Sequence, residues 1–387
     1  MAIQNTKRLA EIVAESKKQF RTFLEDEIED PKQVVDWTLG KHTRDREKNR
    51  ILVLYTGGTL GMEYRDGALV PSLSLEQLLE KANHVVNIEN RYEIEGYHIS
   101  HIDSTEINVK VWKNIAKTIK ERYQDVDGVV VLHGTDTMSY TASALAFMMQ
   151  RLSIPIVCTG AQMIMEKDGS DVVSNLTGAL AVAASDLAES TLYFNGNIYR
   201  GVRVEKDDDS RLHGFKNLTG GPIGHLGGHG VELYPGTLLR GTYTPRDLKM
   251  QTDLATSVVE VVVSPLTSTD EVASAVQGGD CRALILRSYG PGNVPGWYTP
   301  LVRFLTKEEK IPVFLSSQCS GSGISPEGSV YAVGKTIVDA GGVPLGDMSP
   351  SAAVTKSMHV MAHHTSMRRI KEEMIGKSYV GEITIPR

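Results

Sequence analysis

Short, uninterrupted apolar runs rich in β-branched residues alternate with helical patterns from residue 51 onward. Strands buried on both faces have this composition, because helices cover both sides of a parallel sheet. The pattern therefore predicts an α/β fold, with a mostly parallel sheet and flanking helices. The predicted strands are 51–55, 128–132, 154–158, 191–195, 258–263, 283–287 and 311–316. The predicted helices include 111–123, 140–151 and 175–188.

The region from about 206 to 256 interrupts this alternation. It contains three successive aspartates at 207–209 and two glycine-rich segments. Polar, turn-rich segments of this kind commonly connect domains. We therefore expect a larger N-terminal domain over 49–235, a linker over 236–256 and a smaller C-terminal α/β domain over 257–387.

Residues 1–48 have a different pattern. Apolar residues from Leu9 to Leu24 recur at helical spacing between charged residues, and Pro31 interrupts the pattern. The pattern predicts a helical N-terminal extension, formed by one amphipathic helix or two. Its apolar face is expected to cover either the rest of the chain or a partner subunit.

The composition excludes several classes of protein. A net charge of −6, without any block of lysine and arginine, argues against a nucleic acid or an anionic membrane as partner. The three cysteines have no CxxC spacing and support neither a disulfide framework nor a thiolate zinc site. No apolar segment approaches the roughly 20 residues of a membrane span, and the N-terminus has no apolar signal core. We therefore expect a cytoplasmic protein.

Three glycine-containing polar segments directly follow predicted strands. They are TGGT at 56–59, HGTDT at 133–137 and TGAQ at 159–162. Each by itself is typical of a turn or a helix N-cap. Ligands of open parallel sheets bind at the carboxyl ends of strands, so the three segments together predict one polar site there. No GxGxxG or GxxxxGK[ST] motif follows the first strand, which argues against a nucleotide site.

Threonine hydroxyls at such a site suggest nucleophilic chemistry. A threonine hydroxyl is a poor nucleophile unless another group removes its proton. A lysine amine can act as that base, and a carboxylate can orient the lysine. The segment RGVRVEK at 200–206 offers Lys206, although a lysine considered alone is usually a surface residue.

The segments TGGTLGM, HGTDTMSYTASALAFM, TGAQ and RGVRVEK, in this order, resemble the L-asparaginase/glutaminase family. The likeness is greatest to its cytosolic, type I bacterial branch and extends over about 50–365. The resemblance implies two α/β domains and a homodimer or homotetramer. It also implies hydrolysis of L-asparagine to L-aspartate and ammonia through a β-aspartyl–enzyme intermediate, without a metal or an organic cofactor.

The resemblance also implies roles for individual residues. The second threonine of TGGT, Thr59, is the expected nucleophile, while Thr56 shapes the loop. The other residues with implied catalytic roles are Thr135, Asp136 and Lys206. Those with implied roles in substrate binding are Ser104, Thr105, Asp136 and, through its backbone, Ala161.

The catalytic tyrosine departs from the family pattern. Many members place it just before the proline matched by Pro71, at the position of Leu69 in this chain. Tyr64 lies nearby but out of register, and Tyr331 matches a tyrosine that other members use. We therefore predict Tyr331 as the catalytic tyrosine, with Tyr64 as the alternative. The resemblance further implies that Asn293 reaches the substrate site of a neighbouring subunit.

A second asparagine site occurs in some cytosolic members, beside residues matched by Arg287 and Cys319. Glu205 replaces a threonine of that site and is expected to repel an incoming carboxylate, so we expect the site to be lost. Two other functions stay open. One is the ammonia-supplying subunit of a tRNA-dependent amidotransferase, and the other is an amino-acid-binding protein without catalysis.

Overall fold

The computed structural model describes residues 2–25, 30–36, 48–239, 241–278, 281–321, 323–325 and 331–385. The strands are β1 (Lys32–Asp36), β2 (Asn49–Tyr55), β3 (Met62–Arg65), β4 (Ala68–Pro71), β5 (Tyr92–His98), β6 (Gly128–Leu132), β7 (Met149–Gln150), β8 (Ile156–Thr159), β9 (Ser190–Phe194), β10 (Asn197–Arg200), β11 (Val204–Lys206), β12 (Phe215–Asn217), β13 (Gly224–Gly227), β14 (Gly230–Leu233), β15 (Lys249–Met250), β16 (Val258–Val262), β17 (Ala283–Ser288), β18 (Val313–Ser317) and β19 (Val343–Pro344). The helices are α1 (Ala2–Glu25), α2 (Leu75–Val86), α3 (Val109–Arg122), α4 (Met138–Met148), α5 (Val172–Ala183), α6 (Thr269–Gln277), α7 (Thr299–Lys307), α8 (Ala332–Asp339), α9 (Pro350–His363) and α10 (Met367–Ile375).

The N-terminal domain is built on a nine-stranded sheet in the order β1-β5-β2-β6-β8-β9-β10-β13-β14. Its five central strands, β5, β2, β6, β8 and β9, are parallel. Leu52 and Leu54 of β2 pack with α3 and α4 on one face, while Ile51 and Val53 pack with α2 and α5 on the other. The predicted strands and helices are confirmed, with ends shifted by a few residues, because strands covered on both faces are mostly apolar.

The smaller domain repeats this layering. Strands β16, β17, β18 and β19 form a parallel sheet in that order. Helices α6, α7 and α8 cover one face, and α9 and α10 cover the other. Helix α9 also packs on α4 of the larger domain, where Ser143 Oγ lies 2.7 Å from Thr355 Oγ1. The two-domain α/β architecture is therefore confirmed, whereas the domain boundaries stay a prediction.

The prediction of a wholly helical extension was wrong at Lys32–Asp36. Residues 2–25 form α1 as expected, but β1 pairs antiparallel with β5 at the edge of the large sheet. Val35 is buried beside Gly96, where a Cβ atom would lie only 2.9 Å from the Val35 side chain. Adjacent β-branched residues that fill this space favour a strand over a helix.

Helix α1 leaves apolar side chains exposed. Ile12, Val13 and Phe20 are 54%, 45% and 58% exposed. Two hydrogen bonds connect α1 to the domains: Lys17 Nζ donates to Gly278 O over 3.2 Å, and Phe23 O accepts from Asn108 Nδ2 over 3.5 Å. Within this single chain, the described part of its apolar face is therefore largely uncovered. None of the described helices is long and apolar enough to cross a membrane.

Candidate active site

A glycine turn after β2 presents Thr59. Gly57 and Gly58 have φ angles of 109° and 95°, which glycine adopts without strain. A Cβ atom on Gly58 would clash with Gly134, so this turn touches the loop after β6 backbone to backbone. Thr59 is half-buried and begins a 3-10 turn. The turn therefore places the Thr59 segment against the loop after β6, as expected from the parallel sheet.

A buried hydrogen-bond chain fixes the loop after β6. Trp112 Nε1 donates to Thr141 Oγ1 over 2.8 Å, and Thr141 Oγ1 lies 2.8 Å from His133 Nε2. His133 Nδ1 lies 2.7 Å from Gly134 O, and since a carbonyl only accepts, Nδ1 carries the proton. Burial lowers the pKa of His133 to about 4, so its imidazole is neutral at neutral pH. A neutral histidine thus holds this loop.

Lys206 connects two side chains of the same loop. Its Nζ donates to Thr135 Oγ1 over 2.9 Å and pairs with Asp136 Oδ1 over 2.6 Å. The lysine side chain is mostly buried, while that of Asp136 is 55% exposed. The three residues therefore form a connected threonine–lysine–aspartate group at the carboxyl edge of the large sheet.

Gln162 adds a further partner to this group. Thr135 Oγ1 donates to Gln162 Oε1 over 3.4 Å, and Gln162 Nε2 donates to the carbonyl oxygens of Asp208 and Arg211 over 2.9 and 3.2 Å. Because the Thr135 hydroxyl donates to Gln162, its oxygen accepts from Lys206. The glutamine thereby links Thr135 to the loop that follows β11.

Asp171 holds the turn that contains Ala161. Its carboxylate accepts the backbone N–H of Gln162 over 3.0 and 3.1 Å. Asn175 Nδ2 donates to Asp171 and to Gly160 O, both over 2.9 Å. Asp171, Asn175 and Ala161 are all buried. Hydrogen bonds from the start of α5 therefore fix the backbone of this turn, and its position depends on that helix.

Ser104 and Thr105 lie in a 3-10 turn between β5 and α3. Asp103 Oδ1 accepts from the backbone N and from Oγ1 of Thr105 over 2.9 and 2.7 Å. Thr137 Oγ1 donates to Ser104 O over 2.6 Å. A Cβ atom on Gly134 would lie 2.7 Å from Ser104 Oγ. The structure thus brings this turn into contact with the loop after β6.

Two family models match this chain. The model "Asparaginase, N-terminal" matches residues 50–237, and the model "Glutaminase/Asparaginase C-terminal domain" matches residues 258–374. Together they cover more than half of the chain. The chain belongs to the asparaginase family. The family is one of amidohydrolases, so hydrolysis of an amide is the chemistry to which these residues are suited.

Relatives in this family have more than one function. The chain is 32% identical to L-asparaginase 1 of Escherichia coli, over 87% of this chain and 99% of that protein. It is equally 32% identical to a glutamyl-tRNA(Gln) amidotransferase subunit of Pyrococcus furiosus, over 88% of this chain and 78% of that protein. It is 30% identical to an L-asparaginase of Dirofilaria immitis over 88% of this chain, which spans only 62% of that relative's length.

A solved relative shares the fold. The thermostable L-asparaginase from Thermococcus kodakarensis superposes with a TM-score of 0.78 at 29% identity, over 87% of this chain and 99% of that chain. The N-terminal family model begins at residue 50, so the extension containing α1 and β1 lies outside it. The likeness to asparaginases therefore lies in the two domains that follow.

The structure separates the two candidate tyrosines. Tyr64 pairs with Leu69 across the β3–β4 hairpin, so their side chains share one face of this hairpin. Tyr64 therefore lies beside the position at which many members carry the tyrosine. Tyr331 lies directly before α8 in the other domain and is 57% exposed. Its assignment as the catalytic tyrosine stays a prediction.

Asn293 lies in the loop after β17. Its backbone N donates to Tyr289 O over 2.9 Å, which closes a tight turn, and the residue is half-buried. The structure describes one chain, so the predicted contact with a neighbouring subunit's substrate stays a prediction.

Glu205, Arg287 and Cys319 line one cavity of about 260 Å³, together with Lys206. Burial raises the pKa of Glu205, whose side chain accepts from the backbone N of Ser351 over 2.7 Å. Glu205 therefore contacts the smaller domain, whereas Lys206 contacts the loop after β6. Among the described residues, no group of three or more His, Cys, Asp or Glu is placed to hold a metal ion.

Three residues that contribute to the site geometry received no role from the sequence. His133 and Gln162 stand inside recognised motifs, so their position was a usable signal, but only their partners show what they do. Asp171 carries no such signal. It precedes a helix, where an aspartate is typical of a cap, yet its carboxylate binds the turn 160–163 instead.

Proposed function

We propose that this chain is an L-asparaginase that uses Thr59 as its nucleophile. The observation that carries the proposal is the bridge from Lys206 Nζ to Thr135 Oγ1 and Asp136 Oδ1, at 2.9 and 2.6 Å, in the loop that touches the Gly58 turn. A threonine needs a base and the base needs an orienting carboxylate. The names of the L-asparaginase relatives support the substrate.

In the first half-reaction, Thr59 Oγ attacks the side-chain amide carbon of asparagine. The proton of Thr59 passes through Thr135 and Lys206 to the amide nitrogen. The C–N bond breaks, ammonia leaves, and a β-aspartyl ester remains on Thr59. Backbone N–H groups of the glycine turn stabilise the oxyanion that forms on the amide oxygen.

In the second half-reaction, water attacks the ester carbon, and the Thr135–Lys206 pair accepts its proton. The ester C–O bond breaks, the proton returns to Thr59 Oγ, and L-aspartate is released. The sum is asparagine plus water to aspartate plus ammonia. No metal or organic cofactor takes part in these steps.

The polar groups around Thr59 favour asparagine over glutamine. Ser104, Thr105 and the exposed carboxylate of Asp136 hold the α-amino and α-carboxylate groups, while the backbone of Ala161 binds the side-chain amide. These contacts fix the distance from the α-carbon to Thr59. Glutamine is one methylene longer, a difference that a pocket discriminates by ~1–3 kcal/mol. We therefore expect at least a tenfold preference in kcat/KM for asparagine.

The second candidate is the ammonia-supplying subunit of a tRNA-dependent amidotransferase. The observation in its favour is the 32% identity to such a subunit from Pyrococcus furiosus. That function requires release of ammonia from an amide for use by a partner protein. An efficient reaction of the isolated chain with free asparagine therefore separates the two functions.

Ammonia release from asparagine and from glutamine, measured side by side, tests the proposal. Thr59→Ala should lower kcat by roughly a thousandfold or more, because the covalent path is lost. Thr56→Val is the matched control in the same turn, since Thr56 Oγ1 donates to Leu132 O and shapes the loop. We expect a loss of kcat below about tenfold for that variant.

Near-normal turnover by Thr59→Ala would exclude Thr59 as nucleophile. Binding of asparagine without turnover by the unmodified chain would indicate a binding protein.

A further inference from the structure

The side chains of two adjacent residues of β11 contact different domains. Lys206 reaches Thr135 and Asp136 of the larger domain, whereas Glu205 Oε1 accepts from the backbone N of Ser351 over 2.7 Å. Ser351 lies in the first turn of α9, in the smaller domain. The N-terminus of a helix carries partial positive charge and exposes N–H groups, so a carboxylate is favoured there.

Strand β11 lies outside the large sheet, although Val204 packs in the core of the larger domain. It pairs with β12 in a separate two-stranded sheet. The residue two positions before Glu205 also binds the smaller domain: Arg203 Nη1 pairs with Asp347 Oδ2 over 2.7 Å, and Arg203 Nε donates to Gly381 O over 2.6 Å. The segment that carries Lys206 is therefore held by the smaller domain immediately before the lysine.

We propose that Glu205 is a positioning residue for Lys206. Glu205 connects β11 to the N-terminus of α9 and thereby fixes the position of the Lys206 amine between Thr135 and Asp136. The smaller domain thereby controls the geometry of a site whose polar groups lie on the larger one. The kinetic part of this inference rests on the proposed function, whereas its structural part does not.

The surroundings of Glu205 act on its carboxyl group in two directions. The residue is half-buried, and burial raises the pKa of its carboxyl, whereas hydrogen bonds from Ser351 and Ser349 and the charge of Arg287 oppose that rise. It borders the cavity of about 260 Å³ that Lys206 and Arg287 also line. Shortening Glu205 to alanine would leave a vacancy at the start of α9, beside this cavity, into which a small carboxylate such as acetate fits.

The kinetic experiment compares a shortened side chain with an isosteric one. We expect Glu205→Ala to lower kcat for asparagine at least tenfold with less than a threefold change in KM, because the substrate contacts remain while the amine is displaced. Glu205→Gln retains an acceptor for Ser351 N–H and should stay within threefold of the unmodified enzyme. Acetate at 100 mM should raise kcat of Glu205→Ala at least threefold without affecting the unmodified enzyme.

A matched control uses another half-buried carboxylate of this region. Glu260 on β16 lies 3.9 Å from Arg287 but makes no described hydrogen bond to β11. Glu260→Gln should therefore keep kcat within threefold. If Glu260→Gln and Glu205→Ala lose the same activity, the local charge and not the tie to α9 is responsible, and the inference is overturned.

A measurement that is independent of turnover keeps the two proposals apart. Acylation of Lys206 by an amine-reactive ester, followed by mass spectrometry, reports how firmly its amine is held. We expect at least threefold faster labelling in Glu205→Ala, reversed by acetate. Unchanged labelling and unchanged kcat overturn the inference, as does an equal loss in the Ala and Gln variants without rescue. If the unmodified chain releases no ammonia from asparagine, the proposed function fails, and the labelling rate alone decides the role of Glu205.

Discussion

The two parallel sheets of this protein have very different carboxyl edges. At the large sheet, Thr56 and Thr135 are buried within interlocking loops. At the small sheet, the loops carry large apolar side chains into solvent: Leu266, Trp297 and Tyr331 are 90%, 59% and 57% exposed. The same layered architecture therefore supports a compact polar site at one edge, although the β3–β4 hairpin there exposes Tyr64 and Leu69, and a more open apolar surface at the other.

The glycines account for part of the difference. At the large sheet, a Cβ atom on Gly57, Gly58 or Gly160 would clash with the backbone of a neighbouring loop. At the small sheet, a Cβ atom on Gly323 would also clash with backbone, but one on Gly290 or Gly296 would meet nothing within 4 Å. Close backbone contact holds catalytic groups in a fixed geometry, whereas an open apolar edge is typical of a contact surface.

Substituting one glycine at each edge tests this comparison, and we expect the largest effect here. Gly58→Ala places a methyl group against Gly134 at a φ of 95°, so the Thr59 turn must move. We expect kcat/KM for asparagine to fall by roughly a hundredfold, since small displacements of reacting groups have effects of this size. Gly296→Ala, whose methyl group meets open space, is the control and should stay within about threefold. Equal losses in both variants would contradict the comparison.

Acid titration tests the buried histidine that holds the loop after β6. The pKa of His133 is about 4 in the folded chain, against ~6.5 when unfolded, so the unfolded state binds the extra proton first. Its contribution to stability is complete above pH ~6.5 and is lost as the pH falls towards 4. We expect a loss of about 2 kcal/mol between pH 7 and pH 5 from this group. His133→Asn, followed by urea unfolding at both pH values, should show a correspondingly smaller pH dependence, and an unchanged dependence would exclude His133 as its source.

Substituting the two candidate tyrosines tests which of the two edges supplies the catalytic tyrosine. Tyr64 lies beside Leu69 on the β3–β4 hairpin of the larger domain, whereas Tyr331 lies on the open edge of the smaller one. Tyr331 stays the predicted catalytic tyrosine, with Tyr64, beside Leu69, as the alternative. We expect Tyr331→Phe to lower kcat by roughly tenfold more than Tyr64→Phe. The opposite ranking in the ammonia assay would move the catalytic tyrosine to the hairpin.

The smallest effect on stability is expected at Leu266. Because this side chain is 90% exposed, Leu266→Ser should change the free energy of unfolding by less than ~0.5 kcal/mol. The expected homodimer or homotetramer suggests that this open edge contacts a second copy of the chain. In that case Leu266→Ser should shift the molar mass measured by light scattering towards that of the monomer. Val272→Ser, on the buried face of α6, is the contrasting control and should destabilise the fold. A stability loss comparable to that control would show that Leu266 packs in the core.

The sequence was sufficient for the central strands and for the order of the polar loops. Strands β2, β6, β8 and β9 are apolar at almost every position because helices cover both of their faces, so they are visible locally. Strand β5 was missed because glutamates interrupt its sequence. One of them, Glu95, is buried only because Arg122 of α3 pairs with it over 2.8 Å. That pairing is a property of the packed structure and leaves no local pattern.

What the sequence determined by itself was therefore which segments meet at the carboxyl edge of the large sheet, since hydrophobic periodicity fixes the strands and a parallel sheet aligns their ends. What only the tertiary structure decided was which atoms meet there. Gln162 at Thr135 and Glu205 at the start of α9 are contacts between segments distant along the chain, and Asp171 reaches back over nine residues to the backbone N of Gln162, beside Ala161. Hydrogen bonds depend on distance and direction within a few tenths of an ångström, and such positions are set only when the domains pack.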